Sequence, residues 1–476
     1  MNHLLKFSTL ILLFMGVTAV GQEPLRVSLS EAQKYAIEHN RTLKNAKLDL
    51  EISDLKVKET ISKGLPQVDA SVDYTTYFGY EMGFSFGAGG GSEYTTEQLT
   101  SAWNQTSAMF PDFTQQDLSN YLAGSTYSGM LSAMTPTTIK MTDQSTGKIQ
   151  IGQLIYSGQF WVGLQTAKLG KKIAGQSIES SILDVNETVA NSYFMALVTQ
   201  QSLEILNQNI DNLKKINAHT QRMYDTGIVE QTDVDQISMQ VVMLENSKRS
   251  VERSLKIIYN LLKFQLGMEP ASQLELTETL DQLLPKVVSG DISAQNFDIE
   301  NNILFQMTET SEQISEQMVK MQKMAYVPTL SGYYAYNQKF LTTGFDMTPN
   351  HIAGVSLSIP IFSSGARKHA LAQSKIELEK ARINKSMVSD QLKMQEEQLK
   401  FDLKSALENY ESQKKNVTVA RRSFDNINKK YEQGMVSSLD LTQSNSNYLQ
   451  AETNYVQASL SLMQAQIKLE KLYSQL

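Results

Sequence analysis

Apolar and polar residues alternate with period two in four stretches of the chain. This alternation predicts four β-strands, each with one apolar and one polar face. The strands are expected at about 66–80, 139–157, 328–344 and 352–364. In the first of them, apolar Val68, Ala70 and Val72 alternate with polar Asp69 and Ser71.

Much longer stretches repeat their apolar residues at helical spacing. One helix is predicted from about Ser30 to Ser62, with Ser28 or Ser30 as its cap, and another from about Ile303 to Met324. Each precedes a pair of strands. After each pair a helical hairpin is predicted, at 159–267 with its tip near Gly227 and at 366–473 with its tip near Gly434.

The second hairpin carries a seam whose residues alternate in steps of three and four. Such a repeat of 3.5 residues predicts a left-handed coiled coil between the two helices. On the outgoing helix the seam comprises Leu399, Leu403, Ala406, Tyr410, Gln413, Val417, Ala420, Phe424, Ile427 and Tyr431. On the returning helix Leu441, Tyr448, Tyr455, Leu462 and Leu469 follow in steps of seven.

The two halves of the chain are versions of one unit. Tyr, Gly, Val and Asp recur at identical spacing in 224–233 and 431–440, a shift of 440 − 233 = 207 residues. A shared offset at remote segments indicates a duplication. We therefore predict repeat unit 1 at 22–268, a linker at 269–295 that would lie in an equatorial region, and repeat unit 2 at 296–476. The first unit has a Gly-rich, polar insertion at about 80–138, which we interpret as an extracellular loop with short helical pieces around Thr96–Asn104 and Gln115–Leu122.

Residues 1–21 have the features of a secretory signal peptide, with a basic start, an apolar run and small residues at the end. No later stretch has the ~18 uninterrupted apolar residues of a transmembrane helix. An exported chain of this kind is either a secreted soluble protein or a β-barrel protein. Four strands cannot close a transmembrane barrel, which needs at least about eight. If the strands enter a membrane, more than one chain must therefore contribute: two give eight strands, and three give twelve with room for a pore.

Composition excludes several kinds of chemistry. The chain has no cysteine, and its histidines have no metal-ligand or catalytic spacing, so we predict no enzyme activity, no metal site and no cofactor. A net charge of −7 argues against nucleic-acid binding. A structural coiled-coil protein of the cell envelope, without a pore, is the alternative to a channel, although such a rod would have no use for four alternating strands.

The order of these elements resembles the TolC-type outer-membrane efflux protein family over essentially the whole mature chain. The resemblance rests on motifs that are individually weak but occur twice in the same order. They are Asn40-Arg41-Thr42-Leu43 in the first helix, Leu65-Pro66 and Val327-Pro328 before strands, Pro360-Ile361-Phe362-Ser363-Ser364-Gly365 before the second hairpin, and the two Tyr-x-x-Gly-x-x-x-x-x-Asp turns.

The resemblance implies an α+β membrane protein, built from internally duplicated helix–strand–strand–helical hairpin units. It implies a homotrimer with a 12-stranded β-barrel continued by an α-helical coiled-coil barrel. The protein would be a passive exit channel in the outer membrane, with a long periplasmic helical extension. Its partners would be outer-membrane lipid, a periplasmic adaptor (membrane fusion) protein and an inner-membrane pump of the RND or ABC type. The system would serve tripartite efflux or type I secretion.

The resemblance also assigns roles to the hairpin tips. Periplasmic gate candidates are Tyr224, Asp233, Tyr431, Asp440 and Gln443, although Val436 and Gln443 replace an arginine and an acidic residue of the best-known members. Adaptor-contact candidates are Thr226, Gly227, Ile228, Gln433, Gly434 and Met435. Two simpler interpretations stay open. Glycine alone can end a helix, and Asp233 and Asp440 suit the first turn of the next helix as capping carboxylates.

Overall fold

The computed structural model describes residues 24–84, 96–109, 112, 114, 116–117, 137–140, 142–289, 292, 295–341 and 349–476. The signal peptide predicted at 1–21 and much of the insertion predicted at 80–138 lie outside these residues.

The described residues form long helices and short strands, which fall into two compact units. The helices are α1 Leu29–His39, α2 Arg41–Ser62, α3 Thr96–Met109, α4 Gly158–Asp225, α5 Gln231–Leu266, α6 Leu280–Ser289, α7 Ile303–Met324, α8 Ala366–Glu432 and α9 Ser438–Leu472. The strands are β1 Leu25–Val27, β2 Gln67–Thr75, β3 Glu81–Phe84, β4 Thr137–Lys140, β5 Gln144–Tyr156, β6 Leu274–Leu276, β7 Thr329–Leu341 and β8 His351–Ser358. A strand unit comprises Ile61–Gly158 and Val327–Ile361, and a helical unit comprises the remainder.

Each predicted repeat contributes to both units. Its strands enter the strand unit, whereas its hairpin enters the helical unit. Among the described residues, no helix combines the length and the apolar character needed to cross a membrane.

The strand unit is built on a four-stranded antiparallel sheet in the order β2-β5-β7-β8. Its register places all the apolar alternating positions on one face. Across the four strands, Val68 pairs with Ile151, Ile151 with Tyr334, and Tyr334 with Ala353. The other face is polar, since on it Ser71 of β2 pairs with Lys148 of β5, and Lys148 pairs with Asn337 of β7. The sheet therefore has the two faces that the alternation predicted.

Two of the predicted strands end early in the structure, for local reasons. β2 ends at Thr75 because Phe78 and Gly79 turn the chain with φ values of 50° and 73°. β8 ends at Ser358, shortly before Pro360, which has no N–H to donate to a ladder. The strand predicted at 139–157 is divided into β4 and β5.

Part of the insertion at 80–138 is ordered as a small ladder and a helix. β3 and β4 form an antiparallel pair, with Glu81 opposite Lys140 and Phe84 opposite Thr137. The helix α3 lies between them along the chain. The helix agrees with the helical piece predicted around Thr96–Asn104, whereas the ladder of β3 and β4 was not predicted.

The prediction of one continuous helix from Ser30 to Ser62 is wrong, because Asn40 divides this segment into α1 and α2. Asn40 adopts an extended backbone, with φ −61° and ψ 132°. Its side-chain oxygen accepts hydrogen bonds from the N–H groups of Thr42 (2.7 Å) and Leu43 (3.3 Å), and so begins a new helix. Its amide nitrogen donates to the carbonyl of Gln265 at 2.6 Å. Of the two predicted caps, Ser28 is the one used, in a capping box with Glu31.

The seam of the second hairpin is confirmed. Every predicted seam residue of α8 is buried or partly buried, and Leu399, Tyr410, Phe424 and Tyr431 are buried. The aromatic rings meet across the seam, with centroids 5.6 Å apart for Tyr410 and Tyr455 and 5.8 Å apart for Phe424 and Tyr448. These contacts hold α8 and α9 in one register as far as the tip.

The predicted linker at 269–295 contributes two elements that its sequence did not reveal. β6 pairs in parallel with β1, joining Leu25 to Leu274. α6 places Leu280, Leu283 and Leu284 in the largest apolar core of the helical unit. Tyr193 is fully buried in this core, and its hydroxyl donates to the carbonyl of Val27 at 3.2 Å.

Candidate functional site at the tips of the helical hairpins

The two tips share one backbone geometry. Gly227 and Gly434 adopt left-handed conformations, with φ values of 75° and 73°. At the first tip the N–H of Ile228 donates to the carbonyl of Met223 at 2.9 Å, and at the second Met435 donates to Lys430 at 2.9 Å. This hydrogen bond ends each helix with a C-cap, because the left-handed residue allows the following N–H group to bond to a carbonyl of the last helical turn. The prediction of two equivalent turns is confirmed.

Both returning helices carry, in their first turn, the aspartate that the sequence singled out. The Asp233 carboxylate accepts from the N–H of Glu230 at 3.1 Å, and the Asp440 carboxylate accepts from the N–H of Ser437 at 3.2 Å. The Ser437 hydroxyl also donates to Asp440, at 2.7 Å. These hydrogen bonds from Ser437 hold the pKa of the Asp440 carboxyl below its usual range. The capping interpretation therefore applies to both aspartates within one chain.

The two tyrosines of the repeat differ in their surroundings. Tyr431 is 2% exposed, and its hydroxyl lies 2.8 Å from the Thr220 hydroxyl of the other hairpin. Tyr224, its counterpart, is 39% exposed. Burial raises the pKa of Tyr431; the hydrogen bond with Thr220 opposes this rise and the Asp233 carboxylate adds to it. Of the two, only Tyr431 joins one hairpin to the other among the described residues.

Asp233 also connects the two hairpins. The buried Ser438 hydroxyl at the start of α9 donates to the Asp233 carboxylate at the start of α5. Two helical turns further along α9, Asn445 donates to Asn209 at 3.1 Å, and both side chains are buried. Asp440, in contrast, is exposed and lies outside this network.

Beneath these polar contacts the hairpins share an apolar core, which we call the tip cluster. All four long helices contribute to it through Ile210, Leu213, Ile216, Ile237, Val241, Leu244, Phe424, Tyr431 and Leu441. Val436 packs against the tip cluster. An apolar residue is therefore accommodated at the position where the best-known members have arginine. At the tips, the described residues join the hairpins by this packing, by hydrogen bonds between uncharged side chains and by the hydrogen bond from Ser438 to the Asp233 carboxylate.

The adaptor-contact candidates at the tips are exposed. Ile228 and Met435 are 65% and 67% exposed, unusual values for large apolar side chains. Thr226 and Gln433 are also exposed, but the Thr226 hydroxyl already hydrogen-bonds to the carbonyl of Met223 at 3.0 Å. The space around the missing side chains of Gly227 and Gly434 is open.

Gln443 is exposed on α9, one turn after Asp440. Its amide nitrogen donates to the side-chain oxygen of Asn447 at 3.0 Å. Of the gate candidates, the structure brings Asp233 and Tyr431 to the contact between the hairpins, and leaves Tyr224, Asp440 and Gln443 on the surface of the chain.

The sequence did not reveal Thr220, Ser438, Asn209 and Asn445 as residues that connect the hairpins. A signal was present, since Ser438 and Asn445 share a helical face with the seam residue Leu441. Polar residues on an apolar seam usually find a partner across it.

Within the described ranges, no group of three or more His, Asp or Glu side chains is placed to hold a metal ion.

Comparison with known proteins identifies the family. The family model described as Outer membrane efflux protein matches residues 117–268 and 299–474, which is more than half of the chain. Outer membrane protein TolC of Vibrio cholerae is 22% identical over 230 residues, and the match spans 47% of this chain and 52% of that protein.

Solved structures share the fold. The Campylobacter jejuni CmeC outer membrane channel matches with a TM-score of 0.67 at 13% identity, over 94% of this chain and 85% of that one. The outer membrane protein VceC of Vibrio cholerae matches with a TM-score of 0.67 at 13% identity, over 94% and 96% of the two chains. The chain therefore belongs to the outer membrane efflux protein family.

Proposed function

We propose that three copies of this chain form a passive outer-membrane efflux channel. Each copy would add four strands to a twelve-stranded barrel, and its helical hairpins would form a duct through the periplasm. The single observation that carries this proposal is the two-faced sheet. Val72 and Val355 on its apolar face are 75% and 70% exposed, which is costly in water but stabilising against lipid.

The edges of the sheet support an assembly of several chains. β2 and β8 are its outer strands, and among the described residues neither pairs with a further strand on its outer side. Open strand edges cannot face lipid, because their N–H and C=O groups would stay unpaired. β2 has 9 residues and β8 has 8, so that β8 of one copy can pair with β2 of the next along almost their full length. Repeating this contact three times closes a barrel of twelve strands.

The polar face suits a water-filled interior. It carries Asp69, Asp73, Lys148 and Lys339, so that both signs of charge occur at neighbouring positions. Charged side chains on a lipid-facing surface would be strongly destabilising, whereas in a water-filled barrel they remain hydrated. This distribution fits a pore better than it fits the alternative, a rod without a pore.

The tips support contact with a periplasmic adaptor protein. Ile228 and Met435 present two equivalent apolar side chains per copy, and six in a trimer, to a partner. The chain contains no GxxxxGK[ST] nucleotide-binding motif, so energy would come from an inner-membrane pump of the RND or ABC type. The gate would lie at the same tips, with Asp440 and Gln443 toward the axis and Asp233 and Tyr431 between the hairpins.

Two measurements test the proposal. The mass of the detergent-solubilised complex should correspond to three chains plus bound detergent. The same complex should give discrete conductance steps in a planar lipid bilayer. A monomer under mild conditions, or a trimer that never conducts, would favour the structural coiled-coil alternative.

A further inference from the structure

One face of α9 carries side-chain amides along most of its length. We call this face the α9 stripe. Its residues recur in steps of three and four, and all are exposed or partly exposed: Asp440, Gln443, Asn447, Gln450, Asn454, Gln457, Ser461, Gln464 and Lys468. The stripe lies on the side of the helix opposite to the buried seam residues, because Leu441 and Gln443 differ by about 200° around a helix.

Charge is absent from the stripe between its two ends. α9 is described over its full length, and between Asp440 and Lys468 its one other charged residue is Glu452, which is partly buried and off the stripe. The neighbouring helix α8 is different. Its surface away from the seam is exposed and rich in charges, including Lys404, Glu408, Glu411, Lys415 and Arg422.

The first repeat shows the same property independently. By the shift of 207 residues the stripe corresponds on α5 to Asp233, Gln236, Gln240, Met243, Ser247, Ser250, Ser254, Ile257 and Leu261, and beyond Asp233 none of these residues is charged. Charged residues such as Arg249 and Lys256 lie on either side of them on α5. Between their first and last turns, both returning helices therefore keep one face free of charge.

The composition of the α9 stripe distinguishes between three environments. A surface in open water usually carries many charges, as α8 does. A surface packed against another helix carries apolar residues at its seam positions. The α9 stripe carries neither many charges nor apolar residues at seam positions. Gln443 donates to Asn447 at 3.0 Å and Gln450 donates to Asn454 at 2.8 Å, which leaves their remaining donors and acceptors for water.

We propose that the α9 stripe lines the interior of the helical duct, as an uncharged hydrogen-bonding surface that admits polar solutes of either charge. This inference rests on the proposed channel function. Fixed charges in a narrow pore bind one class of ion and repel the other, whereas amide dipoles do so much less. The duct would therefore conduct cationic, anionic and neutral solutes alike, and the Asp440 ring at its entrance would be the main charge filter.

Cysteine labelling can test the stripe, because the chain has no cysteine of its own. Gln450→Cys and Asn454→Cys place a thiol on the stripe, and Lys415→Cys places one on the exposed, opposite side of α8 as the matched control. Each trimer is recorded as single channels in a planar bilayer before and after methanethiosulfonate reagents that carry either a sulfonate or a trimethylammonium group. Mass spectrometry reports whether each thiol has reacted.

Reaction at residues 450 and 454 should lower the single-channel conductance with both reagents. The sulfonate should shift the reversal potential toward cation selectivity and the ammonium group toward anion selectivity. The Lys415→Cys control should react without either change. Labelled stripe variants with unchanged conductance would place the stripe outside the pore, and unreactive thiols would place it between copies; either result overturns the inference. Absence of pores with the unmodified chain would instead overturn the proposed function.

Discussion

The phenol of Tyr431 lies 2.8 Å from the hydroxyl of Thr220 and joins the second helical hairpin to the last turns of α4 in the first. The corresponding tyrosine of the first repeat, Tyr224, is exposed. Two halves with matching turns thus use their tyrosines differently. The asymmetry arises because Tyr431 of α8 is part of the tip cluster, whereas α4 contributes Leu213 and Ile216 to this cluster and not Tyr224.

Tyr431→Phe should loosen the contact between the hairpins. It removes one buried hydrogen bond, which contributes about 0.5–1.5 kcal/mol, and keeps the ring in place. The Thr220 hydroxyl can still donate to the carbonyl of Ile216, at 3.0 Å, so no donor is left without a partner. We expect a lower thermal midpoint and more frequent openings in single-channel recordings. Tyr224→Phe is the matched control, and an equal effect there would show that the Thr220 contact is not responsible.

Asp440→Asn should reduce cation selectivity and weaken block by multivalent cations applied from the periplasmic side. Three exposed carboxylates around the axis would attract cations, and an amide removes the charge while keeping an oxygen for the N–H of Ser437. Reversal potentials in a salt gradient measure the change. Asp233→Asn is the control, because Asp233 is engaged by Ser438 and should affect stability instead. Unchanged selectivity in Asp440→Asn would leave this carboxylate as a helix cap alone.

Replacement of both Ile228 and Met435 by serine should weaken binding to the periplasmic adaptor at least about tenfold. Burial of one large apolar side chain contributes about 1.5–3 kcal/mol, and 1.4 kcal/mol corresponds to a factor of ten. Titration of the solubilised trimer with the adaptor measures the dissociation constant. Met239→Ser removes an equally exposed methionine of α5 away from the tip and should leave affinity unchanged. Equal affinity for all variants would contradict tip docking.

Gly267→Ala should destabilise the helical unit far more than Gly434→Ala. Both glycines have a left-handed backbone, with φ values of 76° and 73°, and alanine in this conformation costs about 1–2 kcal/mol. At Gly267 the added Cβ would also lie 2.3 Å from the His39 carbonyl oxygen, whereas at Gly434 it meets open space. The clash should add about 1–3 kcal/mol. Unfolding followed by circular dichroism should show this difference, and equal midpoints would contradict it.

An epitope tag near Gly90 should be accessible to antibody on intact cells. This segment lies within the insertion at 80–138, whose Gly-rich and polar composition is unsuited to lipid, and we propose that it faces outward. A tag after Gly227 is the matched control and should be reached only after the outer membrane is permeabilised. Protection of the Gly90 tag on intact cells would contradict the proposed topology.

The sequence alone determined the features that depend on local spacing. Period two predicted the two faces of the sheet, and the steps of three and four predicted the seam between α8 and α9. Glycine at 227 and 434 marked both turns, because few other residues adopt a left-handed backbone there. These features can be predicted from sequence, because the spacing of apolar residues and of glycine depends on the local backbone conformation alone.

Tertiary structure decided what depends on partners remote in the chain. Asn40 breaks the first helix partly because the carbonyl of Gln265 lies within reach of its side chain. β1 and β6 are too short to be recognised by alternation, and they pair with each other across the length of the first repeat. The roles of Tyr224 and Tyr431 were indistinguishable in sequence. Only the packing of four helices buried one of these tyrosines beside Thr220 and left the other exposed, because burial depends on which neighbours surround a residue and not on its own spacing.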